Sequence, residues 1–306
     1  MYYGLIFVSV FMFGGMFALQ DVYRSKVGAG LKVSIQFSLM TAIPGLIILL
    51  IMNGFKFEFT WFTLIMALIN SLSSFCMTFC GFRALERINL SLYSLFMMLG
   101  GMILPYFQGI LVYNEPITGA KIICFILICA AIALTVDIKK PKKSDSQDGE
   151  NADAPKRKSG FIYYFVIFVL NGMSGVMSKY FTEAPFEKTS AAGYSILSAL
   201  TSIVMAAAIM VAIVVKEKGN GIKIKHTPLT VGIAASNGIL NRVANYILVI
   251  TLANGVDSSI QYSIVTGGVI AVSTAVAFLN VKKPKMKEII SAVIACVGIA
   301  ALLLPF

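Results

Sequence analysis

The chain has 306 residues, of which 58% are hydrophobic and 13% are charged, and its formal net charge is +11. Its mean hydropathy of +0.85 and its low charged fraction exclude an ordinary soluble domain, in which about 25% of residues are charged. The sequence contains no phosphate-binding loop, hydrolase nucleophile motif or zinc-peptidase motif. Its five cysteines and one histidine form no metal-ligand pattern. We therefore expect no enzyme activity, no cofactor and no bound metal.

Apolar segments of about 20 residues follow one another along the chain, and each is long enough to cross a hydrocarbon core of roughly 30 Å. They lack the alternation of apolar and polar residues that membrane strands require, so we predict helices. The predicted fold class is therefore all-α: a polytopic membrane protein with ten transmembrane helices. The predicted spans are residues 2–20, 31–52, 61–82, 90–112, 117–137, 160–180, 190–215, 228–252, 257–280 and 286–305.

A charged segment divides these spans into two groups of five. Residues 138–159 read IKKPKKSDSQDGENADAPKRKS and contain no large apolar residue after Ile138. This composition is typical of a disordered linker. We therefore predict three regions: a first five-helix repeat at residues 1–137, a charged flexible linker at 138–159, and a second five-helix repeat at 160–306.

The two groups of spans share sequence features in the same order. Asn70 aligns with Asn237, and the pair Gly100–Gly101 aligns with Gly267–Gly268. We interpret this order as an internal duplication. Because each repeat has an odd number of spans, the second repeat is predicted to insert upside down relative to the first. Inverted repeats are common in secondary transporters, whose substrate site lies near the bilayer midplane at the repeat interface.

Two segments carry a family resemblance. The first is LGGMILPYFQGILVYNEPITGAKIICFILICAAIAL, with Pro105 in the fourth span, Glu115 after its end and Ala130–Ala131 in the fifth span. The second is TGGVIAVSTAVAFLNVKKPKMKEIISAVIACVGIAALL, where Lys283 replaces the glutamate and the fourth-helix proline is absent. In these features the chain resembles EamA-like ten-helix transporters of the drug/metabolite transporter (DMT) superfamily. The resemblance implies a ten-helix transporter fold without indicating the substrate.

Basic residues are distributed unevenly between the connections of the predicted spans. Most of the 25 lysine and arginine residues lie in or beside the odd-numbered connections. The positive-inside rule then places these connections in the cytoplasm and both termini outside, whereas ten-helix relatives are usually described with cytoplasmic termini. We expect a multi-pass protein of the plasma membrane, and we interpret the positive charge as a topology signal rather than a nucleic-acid-binding surface.

The eighth span carries a polar face within the stretch SNGILNRVANY. On a helix with about 100° per residue, Asn237, Asn241, Arg242 and Asn245 fall within an arc of about 140°. Three other spans carry comparable polar faces. Such groups either bond neighbouring helices, at roughly 0.6 kcal/mol per hydrogen bond, or line a polar cavity. The candidate substrate-binding residues are Arg242, Asn237, Asn241, Asn245, Tyr246, Asn70, Ser74, Asn171, Ser174, Gln261, Tyr262 and Thr266.

Arg242 is the most informative of these candidates. It lies roughly 3 Å from the centre of its span at the rise of an α-helix, where an arginine costs about 2.5–3.5 kcal/mol. No aspartate or glutamate lies deep within any span. Arg242 therefore either binds carbonyls or a span-end acid such as Asp257, or it binds an anionic or zwitterionic solute. The missing deep acid argues against proton-coupled export of cationic drugs.

These features predict a secondary transporter that moves a small organic metabolite, amino-acid-like or otherwise anionic or zwitterionic, by alternating access. Export is the favoured direction. One alternative is an importer or exchanger of another small solute, such as a cationic amine or a sugar nucleotide. A non-transport alternative is a membrane sensor or channel subunit. The expected partners are the solute and the lipid bilayer, with no nucleic acid, and the protein is expected to be a monomer.

Overall fold

The computed structural model describes residues 2–28, 31–85, 90–135, 160–216, 227–279 and 286–302. These ranges contain ten α-helices and no strand, so the all-α prediction is confirmed for them. The helices are α1 (Tyr2–Val27), α2 (Leu31–Met52), α3 (Trp61–Leu85), α4 (Leu90–Val112), α5 (Gly119–Thr135), α6 (Gly160–Glu183), α7 (Ala191–Lys216), α8 (Pro228–Ala253), α9 (Ser258–Leu279) and α10 (Met286–Leu302).

The helices lie on the apolar segments predicted from the sequence, and several run beyond them. Within the described ranges, five helices are long and apolar enough to cross a membrane by length and composition. These five candidates are Tyr2–Gln20, Lys32–Met52, Ala191–Lys216, Pro228–Ala253 and Ser258–Val276, and shorter apolar helices occur at Trp61–Met77, Phe96–Val112 and Gly119–Leu134. The predicted linker at 138–159 lies outside the described residues.

Helices of the first five pack mainly against helices of the second five. α1 packs on α8 and α9, α4 packs on α6 and α9, and α5 packs on α10. The main contacts show a regularity in chain order. Replacing both helices of a contacting pair by the helices five positions away in the chain gives another contacting pair. The α1–α8 pair corresponds to α6–α3, the α1–α9 pair to α6–α4, and the α2–α8 pair to α7–α3. The core of the molecule is therefore the interface between its two groups of helices.

Small residues allow the closest of these helix contacts. Gly238 of α8 packs directly on the main-chain carbonyl of Thr41 in α2, and a methyl group at Gly238 would collide with that carbonyl. In the corresponding contact between α3 and α7, the Ser71 hydroxyl donates to the Ser198 carbonyl oxygen at 3.2 Å. Close approach of this kind is how helices associate where burial of apolar surface gives no driving force.

The outward faces of the helices are apolar. Phe11 is 67% exposed, Leu111 is 74% exposed and Val204 is 67% exposed. Soluble monomers rarely expose apolar surface on this scale. Helical segments satisfy their own backbone hydrogen bonds, which is the requirement for a chain surrounded by lipid.

Candidate functional site

Helix α8 carries Arg242 near its middle. The helix starts at a capping box between Thr227 and Thr230, with Pro228 at its first turn. The Arg242 side chain is half-buried. It extends across Gly45 of α2, where an added methyl group would collide with the arginine Cγ. Gly45 therefore provides the space that the arginine side chain occupies between α8 and α2.

Tyr194 of α7 is the aromatic neighbour of Arg242. The two side chains interact electrostatically. The Tyr194 ring stacks on Phe181, with ring centroids 4.3 Å apart and an interplanar angle of 17°. This stacking holds the phenol in place, because an offset aromatic pair resists rotation of either ring.

Serine hydroxyls and a second tyrosine complete this polar group. Ser178 of α6 faces the phenols of both Tyr194 and Tyr262, and its own hydroxyl donates to the Ser174 carbonyl oxygen at 2.9 Å. Ser198 lies one helical turn after Tyr194 on α7 and faces its phenol. We call Arg242, Tyr194, Ser198, Ser178 and Tyr262 the arginine cluster.

The hydrogen bonds of the arginine cluster are incomplete. Tyr194 and Ser198 are only 2% and 3% exposed. Neither hydroxyl forms a well-aligned hydrogen bond with a described residue, although the Ser198 and Ser178 hydroxyls both interact with the Tyr194 phenol. The Arg242 guanidinium likewise forms no hydrogen bond or ion pair with a described residue. A buried polar group without a partner costs about 1–3 kcal/mol. The cluster therefore contains an arginine without an ion pair, and two buried hydroxyls without a well-aligned hydrogen bond, among the described residues.

Two asparagines of the predicted polar faces bond to the backbones of neighbouring helices. Asn237 of α8 donates from Nδ2 to the Met16 carbonyl oxygen of α1 at 2.7 Å. Asn171 of α6 donates in the same way to the Met97 carbonyl oxygen of α4 at 2.6 Å. Both amides therefore fasten pairs of helices.

The other residues at the predicted polar arc of α8 lie in different surroundings. Asn245 is exposed and donates to the carbonyl oxygen of Asn241 at 2.8 Å and to its side-chain oxygen at 2.6 Å. Tyr246 is half-buried and packs with Leu49 of α2 and Ile196 of α7. Of the predicted arc, Arg242 alone belongs to the arginine cluster.

Gln261 of α9 is fully buried and bonds to α8. Its Nε2 donates to the Leu248 carbonyl oxygen at 3.2 Å, and its Oε1 accepts from the Thr251 hydroxyl at 2.5 Å. Both ends of the amide are therefore occupied. This side chain acts as a link between α8 and α9.

The remaining predicted residues do not lie together in one group. Thr266 is buried, Ser174 is half-buried, and Ser74 is exposed. The Asn70 Oδ1 atom is buried, and no hydrogen-bond donor among the described residues reaches it. Of the candidate residues, Tyr262 belongs to the arginine cluster with Arg242, and the Ser174 carbonyl oxygen accepts a hydrogen bond from Ser178 of that cluster.

A second polar group lies at the ends of the helices, around Glu115 in the α4–α5 connection. Its carboxylate accepts the N–H groups of Ser258 and Ser259 at 2.7 and 3.0 Å and their hydroxyls at 2.9 and 2.6 Å. Lys179 lies 3.3 Å from the Glu115 carboxylate and 3.0 Å from that of Glu183. Because Ser258 begins α9, the carboxylate also interacts favourably with the helix N-terminus. We call Glu115, Lys179, Ser258 and Ser259 the glutamate cluster.

The carboxylate of Glu115 is held in its ionised form. Burial raises its pKa, but the hydrogen bonds from Ser259 and Ser258 outweigh burial and bring the pKa below its ordinary value of 4.5. Hydrogen bonds to a carboxylate favour the charged form. The Glu115 carboxylate is therefore charged throughout the neutral range.

Two further contacts surround the glutamate cluster on the same side of the molecule. Lys121 of α5 bonds Asp257 at 2.6 Å and the Pro116 carbonyl oxygen at 2.8 Å. The structure therefore does not show the alternative in which Arg242 pairs with Asp257, because Asp257 lies with Lys121 at the helix ends. Glu58 of the α2–α3 connection accepts the Ser190 N–H at 2.6 Å, at the start of α7.

Sequence reasoning missed Tyr194 and Ser198. A signal for them was present: Tyr194, Ser198 and Thr201 recur at helical spacing within an otherwise apolar span. The glutamate cluster was visible only through the family resemblance at Glu115. Nothing in the local sequence indicated that its partners are Ser258 and Ser259 of the second group of helices.

A groove of about 520 Å³ lies between α9 and α10, away from both clusters. Its lining is almost wholly apolar, and it brings together no charged group. Among the described residues, no three histidine, cysteine, aspartate or glutamate side chains are grouped as metal ligands.

No protein-family model matches the chain, and no curated protein matches it. A solved crystal structure is similar to it with a TM-score of 0.67 and 15% sequence identity. The match covers 96% of this chain and 95% of the other. This likeness shows the fold alone. A chain of distant sequence has a similar arrangement of helices.

Proposed function

We propose that the chain is a secondary transporter that moves a small organic metabolite across a membrane by alternating access. The observation that carries this proposal is the arginine cluster. Its Arg242 lies at the middle of a long apolar helix and has no ion pair with a described residue. An ionisable residue at that depth is by default a functional-site hypothesis. A solute of complementary charge supplies the missing partner.

We further propose ten transmembrane spans arranged as two inverted five-helix repeats. The pattern of helix contacts supports this arrangement. The α1–α8, α1–α9 and α2–α8 contacts each have a counterpart in which both helices are replaced by those five positions away in the chain. Arg242 lies against Gly45, at a contact between the two groups. Rocking of one repeat against the other around such a fixed site is the usual form of alternating access.

The charge of the arginine cluster favours an anionic or zwitterionic solute, including amino-acid-like metabolites. Within the described ranges, the nearby lysines of the glutamate cluster and its surroundings are already paired with carboxylates. A cationic amine would be repelled by Arg242, which disfavours that alternative. We propose export as the direction and a monomer as the working unit, without an enzymatic activity or cofactor.

The proposed setting is the plasma membrane, with the odd-numbered connections in the cytoplasm. Ser146, which lies outside the described residues, tests this orientation. A cysteine introduced by Ser146→Cys is expected to resist a membrane-impermeant thiol reagent in intact cells. Glu187→Cys, in the exposed α6–α7 connection, is the matched control and should label readily. The opposite labelling pattern would reverse the proposed orientation.

The first step of the transport test is a screen of metabolites by thermal unfolding of the purified protein. A metabolite that binds the folded state raises the melting temperature. Each stabilising metabolite is then followed by counterflow into proteoliposomes. We expect counterflow of at least one stabilising metabolite, and a lower rate for Arg242→Gln. If stabilising metabolites produce no counterflow, the protein binds solutes without moving them and the transporter proposal fails.

A further inference from the structure

We infer that the α2–α3 connection lies in the headgroup interface of the bilayer and that its partner is the lipid surface. The aromatic side chains of Phe55, Phe57, Phe59 and Trp61 form this contact, and we call these residues the aromatic edge. The inference goes beyond the proposed function. It needs the membrane setting, and it does not depend on whether the protein transports a solute.

The aromatic edge lies between two apolar helices. α2 has 22 residues, so it is about 33 Å long at the rise of an α-helix and just crosses a hydrocarbon core of about 30 Å. The connection follows at once, and α3 begins at Trp61. Residues 53–61 read NGFKFEFTW, with an aromatic side chain at every second position from Phe55 onward. Both flanking helices therefore bring the aromatic edge to one boundary of the bilayer.

An apolar surface on α2 continues into the aromatic edge. Ile43, Ile47 and Ile51 recur at every fourth residue, so they share one face of α2, and all three are exposed. Phe55 follows at the same spacing and is 71% exposed, while Trp61 is 73% exposed. Exposed apolar surface of this extent marks a partner or membrane contact. Because this face of α2 is the outer side of a candidate membrane span, the lipid that covers it also covers the aromatic edge.

The other side of the connection is fastened to the protein. Glu58 accepts the Ser190 N–H at 2.6 Å, and Thr63, in the first turn of α3, accepts the Thr189 N–H at 3.1 Å. Both donors belong to the α6–α7 connection. The connection therefore has one side that is bonded to the protein and one side of exposed aromatic rings. Aromatic residues with this arrangement are typical of the boundary between a membrane and water.

The turn that ends α2 gives Phe55 an unusual backbone conformation. Gly54 and Phe55 have φ values of 60° and 56°, and their N–H groups donate to the carbonyl oxygens of Ile51 and Leu50 at 3.1 and 2.8 Å. A left-handed conformation is rare for a bulky residue and is usually adopted by glycine or asparagine. The described residues leave most of the Phe55 side chain uncovered, so packing within them does not explain an aromatic residue here. Insertion of the ring into lipid does.

Trp61 is the residue of the aromatic edge that reports its depth. Its ring meets that of Phe59 edge-on, with centroids 5.4 Å apart and an interplanar angle of 77°. An indole has an apolar body and one N–H donor, and such side chains concentrate at the boundary between a membrane and water. The next residue, Phe62, has its ring centroid 5.1 Å from that of the exposed Phe186 in the α6–α7 connection. The aromatic surface therefore extends over two neighbouring connections on one side of the molecule.

The experiment uses the fluorescence of Trp61, because it is the only tryptophan of the sequence. The full-length protein is reconstituted into phosphatidylcholine vesicles that carry bromine either near the headgroup end or near the methyl end of the acyl chains. Iodide on both faces of the vesicles is the aqueous quencher. We expect an emission that is blue-shifted from that of N-acetyltryptophanamide, a larger loss of intensity with shallow than with deep bromine, and weak quenching by iodide.

Three results would overturn the inference. Iodide quenching as strong as that of the free amide, without quenching by bromine, would place the connection in water. Stronger quenching by deep than by shallow bromine would place Trp61 in the hydrocarbon core. Quenching by neither agent would mean that protein, such as a second copy of the chain, covers Trp61.

Two variants with a single tryptophan calibrate the depth. In the Trp61→Phe background, Val204→Trp places the reporter at an exposed position in the middle of α7, where deep bromine should quench it more than shallow bromine. Phe55→Trp in the same background places the reporter at the start of the aromatic edge and should repeat the shallow profile of the native protein. Identical profiles for Val204→Trp and native Trp61, or strong iodide quenching in Phe55→Trp, would overturn the inference.

The depth of Trp61 and solute counterflow are separate readouts, so the two proposals fail in distinguishable ways. A shallow Trp61 without counterflow of any stabilising metabolite would refute the transporter proposal and leave the lipid contact in place. Counterflow by a protein whose Trp61 is fully quenched by iodide would refute the lipid contact and leave the transporter proposal in place.

Discussion

The glutamate and arginine clusters are both built around a charged side chain, and they differ in how completely that charge is satisfied. Glu115 accepts four hydrogen bonds from Ser258 and Ser259 and has an ion pair with Lys179. Arg242 has neither a hydrogen bond nor an ion pair with any residue in the described ranges. Glu115 lies at the helix ends, whereas Arg242 lies at the middle of α8.

This difference separates a structural role from a binding role. A buried charge with every partner present stabilises the fold, and loss of one partner leaves the other uncompensated. A charge without partners contributes little to stability, so its removal should be tolerated by the fold. We therefore expect changes in the glutamate cluster to affect unfolding, and changes in the arginine cluster to affect binding.

The largest expected effect on stability is that of Glu115→Ala. This change leaves the donors of Ser258 and Ser259 without their acceptor and removes one carboxylate from Lys179. We expect the free energy of unfolding in detergent to fall by about 3–5 kcal/mol, as for other broken buried pairs. Glu183→Ala is the control. It leaves the ion pair between Lys179 and Glu115 in place, and because Glu183 is exposed, the change should lower the free energy of unfolding by less than about 1 kcal/mol. Equal losses would contradict the distinction between a satisfied core pair and a peripheral one.

Protonation of Glu115 at low pH should cause part of the same loss of stability in the native protein. The folded-state pKa of Glu115 lies below its ordinary value of 4.5, so the carboxylate stabilises the fold above that value. Its contribution is lost as the pH falls through the folded-state pKa. We expect the difference in melting temperature between the native protein and Glu115→Gln to be constant from neutral pH down to about pH 5, and to shrink below 4.5. A difference that changes between neutral pH and 5 would mean that Glu115 is a proton switch.

An effect of intermediate size is expected at the helix contact beside the arginine cluster. Gly238→Ala places a methyl group against the Thr41 carbonyl, and overpacking of this kind costs about 1–3 kcal/mol. Gly232→Ala, on the same helix with no atom within 4 Å of the added carbon, is the matched control. It should be neutral or stabilising, because alanine has the higher helix propensity. Chemical unfolding of both variants checks this, and equal stability would mean that α2 and α8 are not in close contact.

Sequence periodicity and span length were sufficient to place the helices, because both depend on local composition. The sites were harder, because a polar residue on an apolar helix has the same appearance whether it bonds a neighbouring backbone or a ligand. Asn237 and Arg242 fall on one predicted arc, yet Asn237 bonds Met16 of α1. Arg242 instead faces α2 and α7. Only the relative rotation of the packed helices, which depends on contacts distant in sequence, separates these roles.

A smaller effect is expected when an amide that fastens two helices is removed. Asn237→Ala loses the bond to the Met16 carbonyl oxygen, and interhelical bonds of this kind contribute roughly 0.6 kcal/mol. The exposed Asn245, whose bonds are to Asn241 on its own helix, is the comparison, and Asn245→Ala should have no measurable cost. Unfolding in mixed micelles resolves the two. If Asn237→Ala abolished solute binding without lowering stability, its amide would belong to the binding site instead.

A small effect on stability is also expected for Arg242→Gln, although the change removes a full charge. No ion pair or hydrogen bond with a described residue is lost, and arginine and glutamine have similar helix propensities. We therefore expect the free energy of unfolding to change by less than about 1 kcal/mol, within the range of most single substitutions. Lys179→Gln is the contrasting variant, because it breaks two ion pairs and should be the less stable of the two. A loss of several kcal/mol in Arg242→Gln would show that the arginine supports the fold as Glu115 does, and the contrast between the two clusters would no longer hold.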